Sequence, residues 1–301
     1  MYLNSYKPHG YVKCKNFISL TNVTREDLFE FMYRTREFKE KARVKEQTPY
    51  LTDKYVAIIS KPAYFRSRIA FQIAVESLGG KPLVIPLSGP NIEQSLKDCD
   101  VMRNLCDFGI NAFIVDTAYF HDAEVLETYA LLPVINANAK AGPCHALSTL
   151  YTAWEKFGKL RGLKMAAVGN FSADDNSVLI GAAKCGVNLN IISPEDCAPS
   201  RRMTDYCRQF CNVELTSDLD DGIRGCNIVY VGENDFGSEF CVKEIDMSFA
   251  AKDAVLLHSF PLIRDKDVSD DAADCAQSLI FEQATNMIPS MKAALSFVAT
   301  K

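Results

Sequence analysis

The feature that most constrains the fold is a repeated alternation of short apolar segments with longer amphipathic ones. Residues 56–59, 112–115 and 165–168 are each apolar at every position, and each run is followed by a stretch with helical periodicity. A strand that is apolar throughout is buried on both faces, which is typical of parallel sheets covered by helices. The alternation predicts α/β architecture, with two such sheets in series and hence two domains.

Turn signals and periodicity predict where the elements begin and end. The pair Gly79-Gly80 and the single Gly186 are stop signals for the helices before them. The predicted strands are residues 56–59, 83–85, 112–115, 134–135, 165–168, 189–192, 213–215, 228–231 and 255–257. The predicted helices are residues 28–45, 65–78, 92–108, 123–131, 146–157, 177–185, 201–210 and 283–298.

Charge and cysteine usage exclude several classes of protein. The net charge of −5 argues against nucleic acid or an acidic membrane as a partner, and no apolar run approaches the ~20 residues of a membrane span. The 11 cysteines are odd in number and no secretory signal precedes them, so we expect a cytoplasmic protein with free thiols. Cys207 and Cys211 alone do not make a metal site, and we expect no metal.

Two arginines mark a candidate anion site. Arg66 and Arg68 lie at the predicted start of a helix that directly follows a strand, and the exposed N–H groups of a helix start attract anions. Ligands of such sheets bind at the carboxyl ends of the strands. The segment after residue 168 lacks the Gly-x-Gly-x-x-Gly spacing of a dinucleotide site, so we expect no cofactor. The alternative is that the arginines are solvated side chains or partners in ion pairs.

Several segments, in order, resemble the aspartate/ornithine carbamoyltransferases over nearly the whole chain. Residues 66–80, Arg-Ser-Arg and then an apolar helix ending Leu-Gly-Gly, correspond to the family's Ser-Thr-Arg-Thr-Arg segment and the helix after it. Residues 257–261, Leu-His-Ser-Phe-Pro, are similar to the His-Cys-Leu-Pro of the ornithine branch, to which the chain is closer. The other matching segments are 16–20, 134–169 and 274–295.

The resemblance implies a domain arrangement and an assembly. A carbamoyl-phosphate-type domain would comprise residues 1–143 plus 283–301, and an amino-acid-type domain residues 144–282. The family also implies a homotrimer. Its ligands would be a small anion and an amino acid.

The functional positions of the family are largely replaced. Tyr64 and Phe65 stand where the family has small hydroxyl residues, and Asp116 stands where an arginine follows the third strand. Gly142 stands in place of the family's carbonyl-binding histidine, although His145 follows three residues later. Met287 replaces an arginine of the ornithine branch. An acidic residue at position 116 would repel a phosphate.

These matches and departures define the candidate site and leave its function open. The candidate catalytic residue is His145, and the candidate anion-binding or substrate-binding residues are Arg66, Ser67, Arg68, His258 and Asn234. The chain is interpreted as a carbamoyltransferase-like protein with weak, altered or no carbamoyl transfer, a pseudoenzyme. The alternatives are a working carbamoyltransferase with a rebuilt site, and the same fold acting on another small anion. Whether the chain is an enzyme is therefore open.

Overall fold

The computed structural model describes residues 5–87, 98–117, 120–137, 142–172, 176–234, 236–258 and 260–300. The chain divides into two compact units. The N-terminal unit comprises Lys7–Leu147 and Asn286–Lys301, and the C-terminal unit comprises Met1–Tyr6 and Ser148–Thr285. The domain boundaries inferred from the family resemblance stay a prediction.

The first elements of the chain belong to the N-terminal unit. Its strands are β1 (Tyr55–Ser60), β2 (Lys81–Pro86), β3 (Ile110–Asp116) and β4 (Val134–Asn136). The helices up to this point are α1 (Arg25–Arg43), α2 (Phe65–Ser77), α3 (Cys99–Asp107) and α4 (Phe120–Tyr129). The helix α5 (Pro143–Phe157) follows β4.

The sheet of the N-terminal unit is parallel, in the order β2-β1-β3-β4. Its two central strands, β1 and β3, are buried at all but one residue each. In β1 every residue after Tyr55 is apolar or small. The chain moves from β1 outward to β2 and then returns to the other side of β1 with β3. The carboxyl ends of β1 and β3 therefore flank the point where the strand order reverses, which is where open α/β sheets bind ligands.

The remaining elements form the C-terminal unit and the closing helix. The strands are β5 (Lys164–Val168), β6 (Asn188–Ile192), β7 (Val213–Thr216), β8 (Ile228–Val231) and β9 (Val255–His258). The helices are α6 (Ser177–Lys184), α7 (Arg201–Arg208), α8 (Leu219–Ile223), α9 (Glu244–Met247), α10 (Asp270–Ala273) and α11 (Ile280–Val298). The sheet is parallel in the order β7-β6-β5-β8-β9, so its strand order reverses between β5 and β8.

The predicted fold class is confirmed, since both units are parallel sheets flanked by helices. The sequence missed the short helices α8, α9 and α10, because four or five residues show no helical period. The predicted helix 92–108 is observed from Cys99, and its first residues, 92–97, lie outside the described part of the chain. No helix among the described residues is long and apolar enough to cross a membrane.

Candidate functional site: an anion seat at the start of α2

The strand ends of β1 and β3 place two polar residues side by side. Ser60, the last residue of β1, is paired in register with Asp116, the last residue of β3. Both are almost fully buried, with 0% and 2% of their surface exposed. They lie where the strand order reverses, which is where open α/β sheets bind ligands. The topology therefore makes Asp116 a candidate site residue.

The start of α2 lies next to these strand ends. A short 3-10 turn, Pro62–Tyr64, leads from β1 into α2, and no side chain caps the first turn of α2. We call residues 64–68 the anion seat. Within it, the hydroxyl of Ser67 is hydrogen-bonded to Oδ2 of Asp116, so the seat and the end of β3 are in direct contact.

Burial sets the ionisation of Asp116. Removal from water raises the pKa of its carboxyl to about 6, against partial compensation from the hydroxyls of Ser67 and Ser60 and from the charge of Arg68. A carboxyl with that pKa is ionised in a ratio of about ten to one at pH 7. At neutral pH a negative charge therefore lies next to the seat, on Asp116, the position at which the family has an arginine.

The two arginines of the seat differ in exposure. Arg66 is exposed as a residue, although its guanidinium is partly desolvated, which lowers its pKa from the ordinary value. Arg68 is half-buried and close enough to Asp116 to lower the pKa of that carboxyl. Guanidinium groups stay charged in proteins, so both can attract an anion. Phe65 is 58% exposed, so its ring is not buried in the seat.

The first turn of α5 contains the candidate catalytic histidine. His145 is 8% exposed and follows Cys144, which is fully buried. Burial, and then the negative charge of Asp116, raise the pKa of the Cys144 thiol far above its ordinary value. Cys144 is therefore a protonated packing residue and not a nucleophile. Because the charge of Asp116 acts on the pKa of this thiol, the start of α5 lies in the neighbourhood of the end of β3.

The carboxyl edge of the C-terminal sheet is closely packed at its own reversal point. Gly169 follows β5 with φ of 149°, and a Cβ there would lie 3.1 Å from the carbonyl oxygen of Glu233. The backbone N–H of Asn170 donates to that same carbonyl at 2.8 Å. A side chain at position 169 would separate these two segments.

The two candidate ligand residues of the C-terminal unit lie against one loop, residues 263–267. Asn234, 1% exposed, donates from Nδ2 to the carbonyl of Lys266 at 2.9 Å. His258, also 1% exposed, has its Nε2 3.3 Å from Oδ2 of Asp267. That carboxylate accepts the backbone N–H of Ile263 at 2.8 Å. Asn234 thus fastens residues 263–267 by a hydrogen bond, whereas the ring nitrogens of His258 make no hydrogen bond in this structure. Contact with a ligand stays a prediction for each residue.

Two residues of these arrangements were not singled out from the sequence. Ser60 becomes a site residue only through its pairing with Asp116, which depends on the order of the strands. Asp267 belongs to no motif, and nothing in its neighbours predicts its approach to His258. Among the residues that the structure describes, no three His, Cys, Asp or Glu side chains form a group that could hold a metal ion.

Comparison with known proteins assigns both halves of the chain. The family model "Aspartate/ornithine carbamoyltransferase, carbamoyl-P binding domain" matches residues 15–155, and its counterpart "Asp/Orn binding domain" matches residues 161–298. The ornithine carbamoyltransferase of Anoxybacillus flavithermus is 28% identical, over 94% of this chain and 96% of that protein.

Solved structures agree with this assignment. The ornithine carbamoyltransferase of Pyrococcus furiosus superposes with a TM-score of 0.85 at 25% identity, covering 94% of this chain and 96% of the other. The catalytic subunit of M. jannaschii aspartate transcarbamoylase has the same fold, with a TM-score of 0.81 at 20% identity and coverage of 95% and 98%. The chain therefore belongs to the aspartate/ornithine carbamoyltransferase family.

Proposed function

We propose that this family member transfers the carbamoyl group of carbamoyl phosphate very slowly or not at all, because an internal carboxyl occupies its anion seat. The observation that carries the proposal is the hydrogen bond between Ser67 and Asp116. In the family pattern, Ser67 is a remaining hydroxyl of the phosphate-binding segment. Here that hydroxyl is engaged by the chain's own carboxyl.

Electrostatics supports this proposal. Two unit charges 4 Å apart interact by about 4 kcal/mol in a partly buried setting, so an ionised Asp116 opposes a phosphate dianion strongly. The arginine that Asp116 replaces would have attracted the same dianion. A single well-placed donor is worth about 3 kcal/mol in transition-state stabilisation, and Gly142 offers no side chain in place of the family's histidine. Together these replacements remove most of the transition-state stabilisation that an enzyme typically supplies.

A second candidate function is a working carbamoyltransferase with a rebuilt site. It is supported by the positions of Arg66, Ser67 and Arg68 on the first turns of α2, and of His145 on the first turn of α5. The relatives named ornithine carbamoyltransferase also favour it. In this alternative, His145 would polarise the carbonyl oxygen that the family's histidine polarises.

We also propose a homotrimer. Its support is an exposed apolar row on α2 formed by Phe65, Ile69 and Ile73, which are 58%, 49% and 44% exposed. Residues four apart lie on one face of a helix, so these side chains form a continuous surface. Contiguous exposed apolar surface of this kind marks protein–protein contacts.

A binding measurement separates the two candidate functions. The change in melting temperature of the purified protein is recorded with carbamoyl phosphate, with ornithine and with aspartate at pH 7.5. A ligand at 100 times its dissociation constant stabilises a protein by about 2.7 kcal/mol. We expect no shift with carbamoyl phosphate up to millimolar concentration. A shift that saturates at micromolar concentration would contradict the proposal and favour the working enzyme.

A further inference from the structure

A lysine without a carboxylate partner is enclosed in the N-terminal unit. Lys292 on α11 is only 8% exposed, and among the described residues no carboxylate forms an ion pair with it. Lysines are almost never this deeply buried unless they are paired. The residues three and four positions away on the same helix carry no charge either, and they are Ile288, Pro289, Leu295 and Ser296.

The contacts that Lys292 makes come from α1. Its Nζ lies 4.8 Å from the centroid of the Phe38 ring, which attracts an ammonium group but does not neutralise its charge. Lys41 is close enough for its positive charge to act on Lys292. The Nζ of Lys41 itself has a carboxylate partner, since it lies 3.2 Å from Oε1 of Glu46. Lys292 therefore has a cation beside it and no anion of its own.

This environment favours the neutral amine. Burial, and then the charge of Lys41, lower the pKa of Lys292 from its ordinary value. The neutral amine is the nucleophilic form of lysine, and removal from water and a neighbouring cation are the two arrangements that activate it in proteins. Lys292 has both.

The amine is enclosed but not sealed from solvent. A lysine that buries its stem keeps its amine toward water, so the exposed 8% of Lys292 is expected at that end. In agreement, Nζ of Lys292 is not among the fully buried polar atoms that lack a hydrogen-bond partner in the described part of the chain. A small reagent can therefore reach the nitrogen.

We propose that Lys292 is a site of covalent acylation by small acyl phosphates. The lone pair of the neutral amine attacks the carbonyl carbon, and the bond from that carbon to the phosphate oxygen breaks. Phosphate leaves with the electron pair, and the proton displaced from the amine passes to water. Acyl phosphates suit the site because they are compact and anionic, and Lys41 and Lys292 share only Glu46 as a counter-charge.

The product is a neutral amide, so acylation ends the repulsion between Lys292 and Lys41. This inference does not depend on the proposed function, because it concerns neither the anion seat nor carbamoyl transfer.

Competitive isotope labelling tests the proposal. The native protein is treated at pH 7.5 with a small amount of deuterated acetyl phosphate, then unfolded, and the remaining amines are acetylated with ordinary acetic anhydride. Mass spectrometry of peptides gives a heavy-to-light ratio for each lysine. We expect the ratio at Lys292 to exceed that at the exposed Lys159 and Lys252 by about threefold or more, because its neutral fraction is larger. A ratio at Lys292 equal to or below theirs would overturn the proposal.

The dependence of labelling on pH identifies the cause of the reactivity. The labelling rate of an amine rises with pH until the amine is fully neutral. Because the pKa of Lys292 is lowered, its rate should level off at lower pH than the rates of Lys159 and Lys252. Protein unfolded in urea should lose the preference for Lys292. A preference that persists in urea would come from local sequence and would contradict the structural argument.

Variants test the part played by the neighbouring cation. Lys41→Gln removes the charge that repels Lys292, so the ratio at Lys292 should fall by about twofold or more. Lys15→Gln, which removes an exposed lysine of the same unit, is the matched control and should leave the ratio unchanged. An unchanged ratio in Lys41→Gln, or an equal fall in both variants, would overturn the activation of Lys292 by Lys41.

Discussion

Ser67 at the start of α2 is hydrogen-bonded through its hydroxyl to the carboxyl of Asp116 at the end of β3. Ser67 belongs to the segment that corresponds to the family's Ser-Thr-Arg-Thr-Arg, and Asp116 stands where the family has an arginine. The hydrogen bond makes Asp116 a group whose ionisation affects both the fold and the seat. The first prediction concerns the fold.

The stability of the protein should depend on the charge of Asp116. Its pKa is raised from 3.8 to about 6, so the folded state holds the proton more tightly than the unfolded state. The free energy of unfolding is therefore highest below pH 4 as far as this residue is concerned. It falls as the pH rises to about 6, by about 3 kcal/mol at most.

Denaturation of Asp116→Asn tests this dependence. The variant should be more stable than wild type by about 2 to 3 kcal/mol at pH 8 and nearly equal to it at pH 4. Asp107→Asn is the matched control, because it removes an exposed carboxylate of the same unit. A variant less stable than wild type at pH 8 would show that the charged form of Asp116 stabilises the fold.

Restoring the family's groups together should improve the binding of phosphate. The combined change is Tyr64→Ser, Phe65→Thr, Asp116→Arg and Gly142→His, and each single change, Asp116→Arg included, should recover only part of the gain, because such groups act as a unit. Calorimetric titration with phosphate at pH 7.5 measures the gain. If Asp116→Arg alone recovered as much affinity as the four changes together, cooperation among these groups would be refuted.

Assembly should depend on the apolar row of α2. A double change, Ile69→Glu with Ile73→Glu, places two charges on the exposed apolar surface and should convert the trimer to monomer. Sedimentation at micromolar concentration measures the particle mass. The control Asn104→Glu adds a charge at an exposed position of another helix, α3, and should leave assembly intact. A wild-type particle with the mass of a single chain, 33.5 kDa, would contradict the trimer proposal.

The loop of residues 263–267 should depend on Asp267. Asp267→Ala removes the carboxylate that accepts the backbone N–H of Ile263, so the free energy of unfolding should fall by about 1 to 3 kcal/mol. Asp271→Ala, at an exposed position on α10, should change it by less than about 0.5 kcal/mol. Equal effects of the two changes would mean that the hydrogen bond from Ile263 to Asp267 contributes nothing to stability.

The sequence predicted the elements of both units well because its strands are apolar at every position. The strand 228–231 was predicted with its observed bounds, and the start of α2 at residue 65 was also correct. Strand order cannot be read from such runs, because every apolar strand satisfies the same pattern. The register that places Ser60 beside Asp116 therefore required the structure.

The candidate site was predictable in part. Arg66 and Arg68 were identified by their position between a strand and a helix, and Asp116 by the family arginine it replaces. The bond from Ser67 to Asp116 depends on the approach of α2 to β3, which local sequence does not encode. His258 was predictable as the end of a strand and Asn234 from the likeness of its loop to the ornithine branch. Their burial against residues 263–267 was not, because that loop has no motif.

The most direct test of the central claim is an assay of product formation by the purified wild-type protein. Carbamoyl phosphate is supplied with ornithine or with aspartate at pH 7.5, and citrulline and carbamoyl-aspartate are quantified against a reaction without protein. If Asp116 occupies the anion seat as an ionised carboxyl, product should form at or only slightly above the uncatalysed rate. Turnover near the ~10 s⁻¹ typical of enzymes would contradict this account and identify a working carbamoyltransferase.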